Sequence, residues 1–383
     1  MENKLIRITT VPLSLEKLLE NQLEFMSEFY DITAVSSDKE GLEKFGKNQK
    51  VNTFQLELTR TITLIKDIKA VIRLFKFLKK EKPFIVHTHT PKAGVVGMLA
   101  SYFAKTPIRI HTVAGLPLLE VKGLKRILLN FVEKITYGCA TKIYPNSSGL
   151  EKIILENKFT TKEKLKVIAN GSSNGIDTSY FNPNLFSEEE KLVLKNKLKI
   201  QKDDFVFIFV GRLVGDKGIN ELVAAYEKFQ NENTKLLLVG SLEMELDPLK
   251  EKTLTSIMIN KNIISVSFQK DVRPYFTISD VLVFPSYREG FPNAVLQAGA
   301  MNLPSIVTNI NGCNEIIEDG VNGLIIPAKS IDETYMAMKK IIEDKELKTN
   351  LQQHSRRMIQ SKYERKIVWE ALLEEYKSLE LKV

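Results

Sequence analysis

Residues 281–308 read VLVFPSYREGFPNAVLQAGAMNLPSIVT. An apolar run opens the stretch, a loop punctuated by Gly and Pro follows, and a new segment begins after Pro292 before a second apolar run closes it. Strands buried on both faces read as continuous apolar runs, so this pattern is strand, helix and parallel strand. Pro292-Asn293 suits a helix start. Two side chains set a chemical problem. Glu289 is a carboxylate just beyond the strand end, and Gln297, eight residues on, is a neutral amide. At about 5.4 Å per turn the amide sits roughly two turns deeper into the fold. Left to themselves, these residues are a solvated loop charge and a buried helix polar group.

The same unit repeats outward. Strand-like runs fall at 5–9, 32–36, 84–87, 109–112 and 142–145, then at 205–210, 235–239, 263–268, 281–284 and 305–308, alternating with helical patterns. This predicts α/β architecture with parallel sheets. Residues 171–183, GSSNGIDTSYFNP, form the natural linker between two doubly wound domains. Such sheets bind ligands at the carboxyl ends of their strands, and two facing domains would place the site in the cleft between them.

A chain of 383 residues exceeds one comfortable core. Its two cysteines, Cys139 and Cys313, frame neither a disulfide scaffold nor a zinc site, and a reducing cytosol is expected. The first residues read as a strand rather than a leader, and no apolar run reaches bilayer length. The net charge of +8 is uneven: residues 1–180 carry 28 Lys and Arg against 18 Asp and Glu, hence +10, and the rest is near neutral. An anionic partner is expected for the first half alone. Nucleic acid is disfavoured, because the cations are not interleaved with stacking aromatics.

Three further stretches carry chemistry. In residues 204–218, DFVFIFVGRLVGDKG, a buried strand enters a glycine loop holding Arg212 and Lys217, with a helix starting near Ile219. Glycines permit close approach, a helix N-terminus favours anions and two cations complete a phosphate site; the bland alternative is a solvated loop. The P-loop and dinucleotide patterns are both absent. In FIVHTHTPKAG (84–94) and IRIHTVAG (108–115), His87, His89 and His111 fall at adjacent strand ends. Without partner carboxylates they suit neutral hydrogen bonding to substrate better than metal binding. His87, still inside its strand, is expected in the core.

Taken together, GRLVGDKG, the opening stretch and NGCNEIIEDGVNGLIIP resemble the C-terminal domain of the retaining GT-B glycosyltransferases of family 4. HTHTPKAG, IHTVAG, YPNSSGL and NGID follow in the expected N-terminal order. The resemblance implies two Rossmann-like domains facing across a cleft, an acceptor domain at 1–175 and a nucleotide-sugar domain at 184–365. A C-terminal helix at about 366–383 would pack back on the first. The family motif is Glu, seven residues, then Glu. Carried over, Glu289 holds the donor sugar and Gln297 takes the ribose position, where this chain departs from the pattern. Arg212 and Lys217 match the pair that neutralises the donor diphosphate, and His111 matches the active-site histidine. Gly211, Gly290, Phe291, Asn293 and Ala294 line the donor, and Glu315 opens a helix.

Val11-Pro12-Leu13-Ser14 replaces the family's glycine-rich first loop, where Ser14 would offer a hydroxyl and an N–H to the donor. His89 and Lys92 are the acceptor candidates. The implied reaction is retaining transfer from a UDP-sugar (UDP-HexNAc or UDP-hexose) to a lipid-linked saccharide at the cytoplasmic membrane face. No metal or cofactor is expected, since the two cations serve the diphosphate and no Asp-x-Asp motif exists. A nucleotide-sugar epimerase of the same fold is the rival reading. The stretch KDIKAVIRLFKFLKKEK, residues 66–82, places Ile68, Val71, Ile72, Phe75 and Leu78 at helical spacing among cations. Such a helix lies on anionic lipid or packs on its own sheet. A second basic patch runs Lys122-Gly123-Leu124-Lys125-Arg126.

Overall fold

The computed structural model describes residues 3–59, 63–116, 118, 121–229, 233–245 and 247–383. The chain divides into two compact units, Met1–Gly175 with Arg365–Val383, and Ile176–Glu364. The first sheet contains β1 (Lys4–Ile8), β2 (Asp31–Ser36), β3 (Asn52–Gln55), β4 (Ile85–His89), β5 (Ile108–Val113) and β6 (Lys142–Pro145), in the order β3-β2-β1-β4-β5-β6. The second contains β7 (Phe205–Val210), β8 (Thr234–Val239), β9 (Ile263–Val266), β10 (Val281–Phe284), β11 (Ser305–Thr308) and β12 (Gly323–Ile326), ordered β12-β11-β10-β7-β8-β9. Every pairing within these two sheets is parallel. Both are doubly wound, and the strand order reverses between β1 and β4 and between β7 and β10.

Period-two alternation sends successive side chains to opposite faces of the first sheet. Ile6, Ile8 and Val86 join one core with Leu74, Leu78 and Val96, whereas Leu5, Ile32 and Ile85 join another with Leu15, Phe45 and Tyr376. A fully buried side chain of this size contributes about 1.5–3 kcal/mol.

Two strands escaped the sequence reading. β3, NTFQ, is an exposed, mostly polar edge, and β12, GLII, is a short edge strand entered straight from a turn. The segment read as linker joins the second unit from Ile176 on. The Ile176 N–H donates to the Tyr363 carbonyl at 2.8 Å, and Arg356 donates to the carbonyls of Thr178 and Phe181 at 2.7 and 2.6 Å.

The basic helix Leu64–Glu81 packs through Ala70, Leu74 and Leu78, with Val71 and Phe75 partly buried, while Leu64, Ile65, Ile68 and Ile72 stay exposed. It therefore carries two apolar stripes, one inward and one outward. Among the described residues no helix is long and apolar enough to cross a membrane.

Candidate active site

The loops after β7 and β10 are neighbours because the strand order reverses between those strands. Contact between them is close. The Tyr287 N–H donates to the Asp216 carbonyl at 2.8 Å, and Arg288 pairs with the Asp216 carboxylate at 2.8 Å. Gly218, at φ +70°, ends the first loop and caps the helix Ile219–Tyr226.

This contact brings Lys217 and Glu289 together as an ion pair, with side chains only 16% and 14% exposed. Ser286 Oγ lies 2.9 Å from Glu289 Oε1, and Asn311 Nδ2, from the loop after β11, donates to the Glu289 carbonyl. The Lys217 ammonium is 5.9 Å from the centre of the Phe284 ring. Three loops thus hold one carboxylate and one ammonium at the carboxyl end of the sheet. Asn311 and Ser286 stand inside the quoted motifs, but nothing in their spacing announced these contacts.

Arg212 is not part of that pair. It is half exposed and donates to Glu243 Oε2 at 2.9 Å. The helix Asn293–Ala300 begins at Pro292. The N–H groups of Asn293 and Ala294 find no partner among the described residues, as the first turn of a helix requires. Gly290 and the buried Phe291 lie in the loop leading into it. Gln297 is half-buried, and its amide makes no hydrogen bond among the described residues. Glu315 accepts from the Gly312 N–H at 3.2 Å, a capping contact at the start of Cys313–Ile316.

In the first unit His111 is buried on β5, with Nδ1 2.8 Å from Thr88 Oγ1. Helix Pro91–Ala104 lies directly over its ring: a Cβ on Gly94 would come within 2.5 Å of Cε1. Burial pushes the His111 pKa down to about 4, against a hydrogen bond to the Thr88 backbone that opposes the shift. It is a neutral imidazole at physiological pH.

Of the remaining first-unit candidates, Ser14, His89 and Lys92 are engaged within their own unit, while His87 lies in the core as its place inside the strand implied. Ser14 lies in the first turn of a helix, Pro12–Leu18, and its N–H donates to the Val11 carbonyl at 2.9 Å, which leaves only the hydroxyl to offer. His89 is 2% exposed, with Nε2 2.9 Å from Arg7 Nη2. Lys92 pairs with Asp67 at 2.5 Å. His87 is buried and bonded at both ring nitrogens, to Tyr376 at 2.5 Å and Thr112 at 2.7 Å.

Two doubly wound parallel sheets define a two-unit Rossmann-like α/β architecture, and the comparisons identify its family. Residues 190–358 match the family model of glycosyl transferases group 1, and residues 18–147 match glycosyl transferase 4-like. Over 372 residues the chain is 34% identical to the capsular polysaccharide biosynthesis glycosyltransferase CapM of Staphylococcus aureus, covering 96% of this chain and 95% of that protein. It is 31% identical to the UDP-Gal:alpha-D-GlcNAc-diphosphoundecaprenol alpha-1,3-galactosyltransferase of Escherichia coli, covering 90% of this chain and 89% of that one. The crystal structure of Anabaena HepE in complex with UDP superposes with a TM-score of 0.82 at 18% identity, over 99% of this chain and all of that one. The chain belongs to the GT-B glycosyltransferases of the family-4 type, and it is an enzyme of that class.

Proposed function

We propose that the protein transfers a sugar, with retention, from a UDP-sugar to a lipid-linked saccharide during assembly of a surface polysaccharide. The observation that carries this reading is the Lys217–Glu289 pair at the carboxyl ends of β7 and β10. A sugar carbon losing its phosphate becomes oxocarbenium-like. A carboxylate beside it stabilises the developing charge, while an ammonium stabilises the departing diphosphate. In the free protein each group neutralises the other; with donor bound, Lys217 turns to phosphate and Glu289 to a sugar hydroxyl. Arg212 supplies the second cation in place of a metal, and the neutral His111 offers a hydrogen bond to the donor. The names of the Staphylococcus and Escherichia relatives support a polysaccharide product, a UDP donor and a diphosphate-lipid acceptor.

The test is UDP binding by calorimetry. Lys217→Ala and Arg212→Ala should each weaken it by about 1.5–3 kcal/mol, the range for hydrogen bonds to charged groups. Lys217 should lie at the low end, because its removal also relieves the bound anion of a competing pair. Unchanged affinity in both variants would place the diphosphate elsewhere.

Gln297 answers the question of why this position needs no charge. Ribose hydroxyls need only hydrogen bonds, and an amide both donates and accepts. Gln297→Ala should cost about 0.5–1.5 kcal/mol in UDP affinity with kcat largely kept. It should also lose most of the discrimination between UDP and 2′-deoxy-UDP; discrimination equal to wild type would remove Gln297 from the ribose.

The acceptor's lipid sets the location. Helix Gly123–Cys139 exposes Leu124, Ile127, Leu128 and Phe131 at i, i+3, i+4 and i+7, beside Lys122 and Lys125. The outer stripe of Leu64–Glu81 lies in the N-terminal half of a helix that likewise starts at the carboxyl end of the first sheet. Apolar rows ringed by lysine fit an anionic membrane surface at the cytoplasmic face. Replacing Leu124, Ile127 and Phe131 together by serine should lower binding to anionic vesicles at least about tenfold, given about 1.5–3 kcal/mol per fully buried side chain. Hydrolysis of soluble UDP-sugar should be unaffected. Equal vesicle binding would refute membrane docking through this face.

A further inference from the structure

Arg7 lies in the middle of β1 with no exposed surface. Its guanidinium donates to Tyr376 Oη at 3.1 Å, to Gln22 Oε1 at 2.6 Å and to His89 Nε2 at 2.9 Å, and its Nε has no partner. Every one of these acceptors is neutral. Glu375, beside Tyr376 in the sequence, is engaged by Lys166 and by Tyr144 Oη at 3.1 Å. Arg7 is thus a buried cation with no ion-pair partner among the described residues, an arrangement that is costly unless a counter-charge is supplied.

His89 shows where that charge would come from. A guanidinium only donates, so His89 Nε2 accepts and the ring proton sits on Nδ1. Burial and the neighbouring Arg7 hold the imidazole neutral, well below its ordinary pKa. Nδ1 is buried and has no partner. His89 lines a cavity of about 20 Å³ together with His87, Asn146, Ser173, Val368 and Leu372. Asn146 Oδ1 and Ser173 Oγ, on the same cavity, are likewise buried and unpaired. This volume holds one particle of about the size of a water molecule.

We propose that this cavity binds one small monovalent anion, a chloride-sized ion, held by His89 Nδ1–H and the Ser173 hydroxyl. The Asn146 amide, whose two ends are interchangeable by a flip, turns its NH₂ inward. Water would pair the same atoms but leave the guanidinium without a counter-charge. An anion does both, because Arg7 polarises the imidazole through Nε2 and strengthens the opposite N–H as a donor. The ion would hold the end of β4 to the segment around Ser173, whose carbonyl also accepts from Gln22 Nε2 at 3.1 Å. This site is independent of the sugar-transfer reading.

Crystals of the full chain grown in sodium bromide, measured at the bromine absorption edge, test it. An anomalous peak within hydrogen-bonding distance of His89 Nδ1 and Ser173 Oγ is expected. In solution, Tm should rise with bromide or chloride relative to gluconate at equal ionic strength. Ser173→Ala, which leaves Arg7 untouched, should raise the half-saturating halide concentration several-fold. A water-filled or empty cavity at saturating bromide overturns the proposal. So does a peak whose occupancy is unchanged in Ser173→Ala with no halide effect on Tm, which would mark an adventitious ion only.

Discussion

Glu289→Ala is expected to lower kcat for sugar transfer by about 10²–10³-fold, the effect of removing one group aimed at charge that develops in the transition state. UDP should still bind, and more tightly than to wild type. The Lys217 ammonium, now tied to Glu289 in a pair that is only 16% and 14% exposed, becomes free for the diphosphate. The same change leaves Lys217 half-desolvated and unpaired, so the free enzyme should lose about 1–3 kcal/mol of stability. UDP should restore part of that loss by mass action. Glu289→Gln separates charge from geometry: it keeps a hydrogen bond to a sugar hydroxyl but cannot stabilise a cationic carbon, so its kcat should follow alanine. Initial rates with radiolabelled donor, beside calorimetry with UDP, read both quantities. Full turnover in either variant would mean that the carboxylate does not face the reacting sugar.

The fold was legible in the sequence because its central strands are buried on both faces. FVFIFV and VLVF are unbroken apolar runs, and the structure places β7 and β10 at those residues. Edge strands have no such signature: NTFQ is mostly polar, since half of it faces water. The helix Leu64–Glu81 misleads for a different reason. Its inward stripe rests on Ala70, a small residue that periodicity reads as neutral, while the larger Ile68 and Ile72 point outward. Local pattern ranks residues by size, whereas packing selects the face that fits the neighbouring helix.

The site was legible only in pieces. Lys217 and Glu289 are 72 residues apart, and only the strand order makes their loops adjacent. The glycine loop and the helix start could be read as anion-binding elements, but their meeting needed the sheet. Glu243 on Arg212 and Arg7 in the core had no signal at all. An arginine in KLIRI reads as a solvent-facing strand residue until the helix Arg365–Glu380, at the far end of the chain, covers it through Tyr376.

Gly218→Ala should cost more stability than Glu289→Ala, and it tests whether the two loops form one site. Gly218 adopts φ +70°, where an L side chain costs about 1–2 kcal/mol per residue. A Cβ there would also sit 2.1 Å from the Pro285 carbonyl oxygen and 2.8 Å from its carbon. Backbone cannot yield as a flexible side chain does, so the β7 loop must move away from the β10 loop, and overpacking of this kind adds about 1–3 kcal/mol. That movement strains the Tyr287–Asp216 hydrogen bond and draws Lys217 from Glu289, so UDP affinity should fall along with stability. A total of about 2–5 kcal/mol corresponds to a Tm lower by roughly 5–15 °C for a unit of this size. Gly138→Ala is the control. Nothing lies within 4 Å of a Cβ there, inside the helix Gly123–Cys139, and alanine should stabilise that helix by up to about 1 kcal/mol. Differential scanning fluorimetry with and without UDP reads both variants. If Gly218→Ala melts lower yet binds UDP as wild type does, close approach of the two loops serves the fold alone, and the Lys217–Glu289 pair is not the donor site.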